Sequence, residues 1–413
     1  MRLSVGILAG GQSKRFWPLE EKNLFEFFGV PLIIYQIKRY AFFLKGLGIE
    51  PEFTIITNEF NYKEIKSVLE KSALKKINLE IQKLPDQYGA VLALTEKINL
   101  AQPLLIVNSN DIISEKLINT FIKKIPEKEI VLSATSVNQY FPGGYLVTKA
   151  GGQEIERIWE KPPEKKVPGE LNLFRFVLDY FADPKKLVKC IKDNPETQDY
   201  EGVINLTLKE CSSTYALNSD AFTSLKYPWH ILEAMNIFLD NIKDRNIKST
   251  DIDPTSVIQG NVFIEEGVKI GSFVKIVGPC YIGKNTILGD YSLVRHSHIG
   301  RNSLIGAHSE VARSYLGNEV LLHRNYVGDS ILSAGVGFGA NAVTANWRFD
   351  NQTIRAKIND VKIDTNMPKL GAIVGKNVRV GVGALLMPGV RVEKNAFILP
   401  GTTAFKDITV NQT

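Results

Sequence analysis

Tyr281-Ile282-Gly283-Lys284-Asn285-Thr286-Ile287-Leu288-Gly289 places an aliphatic residue followed by glycine twice at a spacing of six. The pair recurs at Ile270-Gly271, Ile299-Gly300, Ile305-Gly306, Leu316-Gly317, Val327-Gly328, Val374-Gly375 and Val380-Gly381, mostly at multiples near six. A short fixed period over this length is the mark of a repeat architecture. Each hexapeptide supplies one short flat strand and one corner: the aliphatic residue points into the stack, and Gly or a small polar residue permits the tight turn. The period predicts a left-handed parallel β-helix of hexapeptide repeats over 254–413. It breaks between Asn346 and Leu370, a stretch carrying Arg348, Arg355, Lys357, Lys362 and Lys369. An insertion in a solenoid tends to sit on a functional face, and these cations would suit a phosphate-rich ligand.

Upstream of the repeats, Pro228 opens a segment with Ile231, Leu232, Met235, Phe238, Leu239 and Ile242 at helical spacing, and the charged stretch from Lys243 to Pro254 reads as a linker. Residues 228–253 are thus expected to connect two domains. Over 1–227, short apolar runs alternate with charged amphipathic stretches: Ser4 to Leu8, Phe53 to Thr57, Leu104 to Asn108 and Ile130 to Ser133 are the expected strands, and Tyr62 to Lys71 an expected helix. This rhythm predicts an α/β, Rossmann-like domain around a mostly parallel sheet, with ligands beyond the C-terminal strand ends, after Leu8 and after Asn108.

The composition narrows the partners. The 413 residues are 44% hydrophobic, and the net charge of +6 is spread along the chain rather than gathered in a basic stripe, so nucleic acid is not the expected partner. The apolar run near the start ends in Gly-Gly-Gln-Ser-Lys-Arg, not in a small-residue cleavage site, and no stretch approaches the length of a membrane span. Cys190, Cys211 and Cys280 match no metal or redox spacing and fit buried thiols in a reducing cytoplasm. His296 and His298 alternate in the manner of one strand face, and without a third ligand they read as surface residues.

Directly after the first expected strand comes Leu8-Ala9-Gly10-Gly11-Gln12-Ser13-Lys14-Arg15-Phe16-Trp17-Pro18-Leu19. Gly10 and Gly11 let backbone amides close on phosphates, and Arg15 and Lys22 bring positive charge to a leaving pyrophosphate. The run is neither a Walker A loop nor a GxGxxG fingerprint.

It resembles the phosphate loop of the sugar-1-phosphate nucleotidylyltransferases, and the resemblance spans the domain. It implies that Arg15 and Lys22 are catalytic, Lys22 standing seven residues before Gly29 in Lys-Asn-Leu-Phe-Glu-Phe-Phe-Gly. It further implies that Leu8, Gly10, Gly11, Gln82 and Gly89 bind the nucleotide, and that Asp111 binds Mg²⁺. Gly144, Glu160, Lys161 and Asn172 would hold the sugar phosphate. Ser13 replaces a glycine of the commoner loop, a form also resembling molybdenum-cofactor guanylyltransferases, and Glu21 replaces a proline. Ser224 stands where a second metal-binding aspartate is expected, with Asp220 nearby.

In the repeats, Leu322-His323-Arg324-Asn325-Tyr326-Val327-Gly328-Asp329 resembles the acetyltransferase motif of bifunctional glucosamine-1-phosphate acetyltransferase/uridylyltransferases, above all the archaeal ones, which share this domain order. The resemblance implies acetyl-CoA as co-substrate, His323 as general base, Tyr326 at the amino sugar, Ala340 on the coenzyme side, Asn346 beside the reacting groups and Arg295 at the sugar phosphate. An ammonium must lose a proton before attacking a thioester, and His is suited to that near neutral pH. Gln352, Ala312, Gly337 and Val382 depart from the family pattern, with Arg313 and Arg355 near enough in sequence to restore the lost charge.

Three readings follow. One is a bifunctional enzyme joining acetyl-CoA-dependent N-acetylation of an amino-sugar 1-phosphate to transfer of a nucleotidyl group from a nucleoside triphosphate to a sugar 1-phosphate. The second is a nucleotidyltransferase of the mannose- or glucose-1-phosphate type with a purely structural β-helix. The third is a non-catalytic regulatory homologue. The flat solenoid faces suggest a homotrimer.

Overall fold

The computed structural model describes residues 1–410 except 75, 139, 142, 150, 151, 168, 221, 359 and 360. By internal contacts the chain forms two compact units: Met1–Gln12 with Pro31–Phe222, and Ser13–Val30 with Thr223–Thr413. Among the described residues no helix is long and apolar enough to cross a membrane.

The first unit is built on a mixed sheet of nine strands. Arg2–Leu8, apolar and buried beyond Arg2, lies between the parallel strands Glu50–Thr57 and Leu104–Asn108. Ile77–Ile81 extends the parallel side. Beyond Leu104–Asn108 the direction reverses at Leu173–Phe181, which pairs antiparallel with Ile130–Ser136 and with the edge of the hairpin Gly144–Thr148/Ile155–Glu160. The apolar runs read as strands are strands, and Tyr62–Lys71 is a helix. The sheet is more mixed than the alternation suggests, because Leu173–Phe181 runs against its neighbours and Gly144–Thr148/Ile155–Glu160 is a hairpin, whereas Ser213–Asn218 returns after two helices to pair parallel with Ile130–Ser136. Register sets Leu8 beside Ile56 and Asn108, so the ends of three parallel strands form one rim, the usual place for a ligand in such sheets.

The second unit contains three parallel sheets of eight strands each, the arrangement of a left-handed parallel β-helix. Inward residues stack coil on coil, as in Ile276, Val294, Val311 and Val327, all wholly buried. The inward serines of one corner form a ladder: Ser297 Oγ accepts the Ser314 N–H at 3.1 Å, Ser314 Oγ that of Ser330, and Ser330 Oγ that of Ala372. Small polar residues at these corners thus satisfy amides that would otherwise be buried without partners.

The glycine of each pair has a different reason from the one the repeat suggests. The left-handed backbone at the corners belongs to residues such as Asn285, Asn302 and Asn341. Gly283 is required by approach, since a Cβ there would lie 2.6 Å from the Arg301 amide nitrogen of the next coil. The solenoid also begins earlier than the linker reading allows. Asn246–Ile247 and Asp251–Ile252, inside the charged stretch, already pair with Val262–Ile264 and Lys269–Ile270. Ahead of them, His230–Asp240 is the expected amphipathic helix.

The insertion contains an antiparallel hairpin, Arg355–Ile358 with Val361–Asp364. Its base is closed by a bridge between Trp347 and Lys369 and by the Leu370 N–H donating to Asn346 O at 3.0 Å. The coils continue across it, Ile331 pairing with Ile373 and Val343 with Leu385.

Candidate active sites

In the first unit, Leu8 ends the central strand with its carbonyl capped by both the N–H and the Oγ–H of Ser109. The following turn is pinned by two asparagines: Asn61 Nδ2 donates to Ala9 O at 2.8 Å and Asn58 Nδ2 to Gly10 O at 2.9 Å. Gly10 must lack a side chain, because a Cβ there would lie 1.8 Å from Gln82 Oε1. Gln82 donates its Nε2 to Leu84 O and Asp86 O, which aims its buried Oε1, without a partner among the described residues, at Gly10. A buried acceptor left unpaired beside a phosphate-type turn is suited to an N–H of a ligand. Gly89 packs so tightly that a Cβ would meet Leu84 O at 2.1 Å. It also lines a cavity of about 170 Å³ with Glu80, Lys83, Leu84 and Lys97.

Asp111 is buried, its Oδ2 accepting from Asn108 Nδ2 at 3.2 Å and its carbonyl from Gln36 Nε2 at 2.8 Å. Among the described residues no cluster of three His, Cys, Asp or Glu could hold a metal alone. A Mg²⁺ shared with substrate phosphates needs only one or two protein carboxylates, and the fixed Asp111 carboxylate fits that demand. Asp220 is occupied by Lys116 at 3.8 Å.

Gly144 and Glu160 face one another across the hairpin, and a Cβ on Gly144 would lie 3.2 Å from Glu160 Oε2. Lys161, in the left-handed region, donates its N–H to Gly143 O and sets its ammonium 3.4 Å from Glu160. Asn172 holds the neighbouring strand start, its carbonyl accepting from the Val137 N–H. The sequence reading missed what lies behind this pair. Arg175, buried in an aromatic strand, pairs with Asp179 and donates to Glu201 at 3.0 Å, while Tyr200 donates to Asp179 at 2.9 Å. Burial pushes the Asp179 carboxyl up to about 6, and the same effect together with the Glu201 charge raises Glu160. The signal was present: Arg175 and Asp179 are the charges of an otherwise apolar strand, four apart and so on one face.

Arg15 and Lys22 belong to the second unit. Arg15 lies in a short 3₁₀ turn with its guanidinium 5.5 Å from the Tyr227 ring centroid. Lys22 opens another 3₁₀ turn that Glu21 caps by accepting the Asn23 N–H at 3.0 Å, which gives the unexpected glutamate a local role. The Ser224 carbonyl accepts from His230 Nδ1 and the Lys226 N–H.

On the β-helix, Arg295, Tyr326 and Asn346 line one cavity of about 510 Å³ with Arg313, Trp347 and Lys369. Arg313 makes a bidentate pair with Asp329, both contacts 2.7 Å, and the pairing raises the guanidinium pKa. Asn346 Nδ2 donates to Asp329 and, at 3.2 Å, to the Tyr326 hydroxyl. Arg295 is held by Glu310 at 2.7 Å. The cavity thus presents three cations, with Arg313 next in sequence to Ala312, and the insertion contributes Trp347 and Lys369. His323, Ala340 and Arg355 do not line it. His323 is exposed at a corner whose next residue, Arg324, accepts the N–H of Asn341, so its corner stacks on that of Ala340. Arg355 lies on the hairpin, 3.9 Å from Asp364.

His298 is not a surface residue. It lies in the strand His298–Ile299, apart from exposed His296, and is 2% exposed between Tyr281 and Tyr315.

A phosphate-type turn at the rim of a mixed α/β sheet, followed by a hexapeptide β-helix, defines a class of two-part nucleotide-handling transferases. Residues 5–222 match the nucleotidyl transferase family, and the chain belongs to it. Residues 245–335 match the GMPPB C-terminal domain. Over 407 residues the chain is 28% identical to the bifunctional protein GlmU of Methanococcus vannielii, spanning 91% of this chain and 88% of that one. It is 29% identical over 389 residues to a bifunctional sugar-1-phosphate nucleotidylyltransferase/acetyltransferase of Sulfurisphaera tokodaii, with coverages of 91% and 90%. A mannose-1-phosphate guanyltransferase of Yarrowia lipolytica is 26% identical over 280 residues, 64% of this chain and 72% of that one.

Proposed function

We propose that this chain is a bifunctional enzyme of sugar-nucleotide synthesis: the β-helix N-acetylates an amino-sugar 1-phosphate with acetyl-CoA, and the α/β unit transfers a nucleotidyl group to a sugar 1-phosphate. The cavity that gathers Arg295, Arg313, Tyr326, Asn346 and Lys369 carries the reading, because a purely structural solenoid has no need of three cations around one polar pocket. The full-length likeness to bifunctional relatives supports it.

In nucleotidyl transfer, an oxygen of the sugar phosphate forms a bond to the α-phosphorus while the bond to the bridging oxygen breaks and pyrophosphate leaves. Two anions must meet, so the residues position and neutralise rather than exchange protons. Gly10 and Gly11 turn amides to the phosphates, Gln82 offers its acceptor to the base, and Glu160 with Asn172 orients the sugar. Arg15 and Lys22 take up charge on the leaving group. Mg²⁺ held by Asp111 would supply further neutralisation of the triphosphate.

In acetyl transfer, His323 removes a proton from the ammonium, the amine nitrogen bonds to the thioester carbonyl carbon, and the thiolate of coenzyme A departs. Arg295, Arg313 and Lys369 hold the sugar phosphate. The enzyme works as a homotrimer in the reducing cytoplasm. The exposed outward residues Ile287, Leu321 and Phe397 on one sheet and the free thiols support those two readings.

His323→Ala is expected to abolish acetyl transfer while leaving pyrophosphate release intact, and Lys22→Ala to do the reverse. Normal acetylation by His323→Ala would refute the assignment. The second reading, nucleotidyl transfer alone, is favoured by the position of His323 outside the cavity, and absence of acetyl-CoA consumption would decide for it.

A further inference from the structure

In a solenoid, the outward residues of each strand ordinarily face water. One sheet departs from this. At equivalent positions on successive coils stand Phe263, Tyr281, His298, Tyr315, Ile331, Ile373 and Arg391, and those from Tyr281 onward are at most 5% exposed. The cover includes the segment Ser13–Val30, which carries Arg15 and Lys22, and the helix His230–Asp240.

The attachment is specific at both ends of the segment. Toward its end, Phe28 lies 4.9 Å from Tyr281 and Phe25 5.3 Å from Tyr315, ring centroid to centroid, while Phe27 stacks at 4.3 Å on Phe238 of the helix. The Phe28 N–H donates to His298 Nε2 at 3.2 Å, and the Tyr315 hydroxyl donates to Glu26 O at 2.7 Å. The Glu26 carboxylate is held by Arg301 at 2.9 Å and Asn318 at 2.8 Å. Toward its beginning, the Arg391 guanidinium lies 4.6 Å over the Trp17 ring and Lys394 pairs with Glu20 at 2.8 Å. Lys22 falls between the two attachments.

The His298 ring is committed to this contact. Its Nδ1 lies 3.2 Å from Leu316 O, so the proton sits there and Nε2 is the acceptor that the Phe28 amide needs. Backbone held by buried hydrogen bonds and aromatic stacking is fixed more closely than a free loop, and small displacements of a charge that must meet a phosphate are costly.

We propose that this sheet face is part of the nucleotidyl-transfer apparatus, with His298 and Tyr315 as positioning residues that fix the backbone of Glu26–Phe28 and so set where the Lys22 ammonium stands. The proposal rests on the reading above that Lys22 acts on the triphosphate. The β-helix then serves both reactions: one face carries the acetyl-transfer cavity, and another holds the residues that neutralise pyrophosphate.

The test uses the full-length chain. His298→Phe keeps an aromatic ring between Tyr281 and Tyr315 but removes the acceptor, His298→Gln restores an acceptor, and Tyr315→Phe removes only the hydroxyl that reaches Glu26. Mg²⁺-dependent pyrophosphate release is measured with a panel of nucleoside triphosphates and sugar 1-phosphates, together with amide hydrogen exchange across residues 20–28 and acetyl transfer as a check on the solenoid. His298→Phe is expected to lower kcat about tenfold with KM changed less than about twofold, to raise exchange at Phe28, and to leave acetyl transfer unchanged. His298→Gln should recover most of the loss, and Tyr315→Phe should lower kcat several-fold. In a Lys22→Ala background the further change to His298→Phe should have almost no effect on the residual rate, which a general loss of stability would not produce. Wild-type kcat in both His298→Phe and Tyr315→Phe, or the same loss with and without Lys22, overturns the positioning role while leaving the functional reading intact. If Lys22→Ala itself releases pyrophosphate like the wild type, the functional reading has failed and the positioning role falls with it.

Discussion

Replacing Arg175 by methionine tests the buried ion cluster behind Glu160. The Arg175 side chain is 3% exposed and Asp179 is fully buried, so the substitution leaves a carboxylate with, among the described residues, only the Tyr200 hydroxyl as partner. Breaking a buried pair from one side costs about 3–5 kcal/mol. The lower figure applies here, because burial already lifts Asp179 to about 6, and without the guanidinium it moves higher and takes up a proton at neutral pH rather than remaining charged. At about 2–4 °C per kcal/mol for a unit of this size, the unfolding transition of the α/β unit should fall by roughly 10 °C. The double variant Arg175→Met/Asp179→Leu, which removes both charges, should recover most of that loss.

The same substitution reaches the sugar site. Glu201 loses its Arg175 partner and becomes a less compensated charge beside Glu160, whose carboxyl is already raised by burial and by Glu201. Glu160 then spends more time protonated and accepts less well from a sugar hydroxyl. Thermal unfolding followed by circular dichroism, with steady-state pyrophosphate release, reads both effects. The expected result is a several-fold higher KM for the sugar 1-phosphate with the KM for the nucleotide unchanged. A transition lowered by less than about 2 °C, or both KM values rising together, would refute the reasoning.

Other outcomes follow from single contacts. Gly89→Ala drives a Cβ against the Leu84 carbonyl, to which Gln82 is bonded, so the nucleotide KM should rise about tenfold in a pyrophosphate assay while acetyl transfer is untouched. Arg313→Lys gives up the bidentate contact with Asp329 and should raise the KM for the amino-sugar phosphate several-fold in an acetyl-CoA consumption assay; an unchanged KM would remove Arg313 from the site. His298, pushed down to about 4 by burial against a usual 6.5, takes up its proton more readily when unfolded. Its contribution is therefore complete above pH 6.5 and is lost as pH falls toward 4, by at most about 3 kcal/mol. Tyr281 and Tyr315 against it are raised and stay neutral there, and Glu26 is paired with Arg301. Urea unfolding of wild type and His298→Phe from pH 7 to 4.5 should show the steeper loss in the wild type, and parallel curves would contradict it.

The parts legible in the sequence were those fixed by local rules. The hexapeptide spacing needs no distant information, since each coil repeats the demand that an aliphatic residue face inward, and Gly10-Gly11 directly after an apolar run announces a turn by itself, although the reason Gly10 must be glycine, the approach of Gln82, is not local. The outward face is different. Tyr281, His298 and Tyr315 occupy positions at which a solenoid tolerates almost any residue, and their burial depends on a segment more than two hundred positions earlier in the chain. Nothing in the period distinguishes an outward aromatic that is covered from one that is not: Phe397, at an outward strand position of another sheet, remains exposed. The same holds for Arg175, whose partners come from its own strand and from the helix Tyr200–Leu208. What did carry a signal was chemical mismatch. A guanidinium four residues from a carboxylate in an aromatic strand, or aromatic rings at the same outward place on four consecutive coils, is costly or unnecessary unless something packs against it. A periodic sequence makes such departures easy to locate, because the repeat itself states what each position would hold if only the fold were at stake.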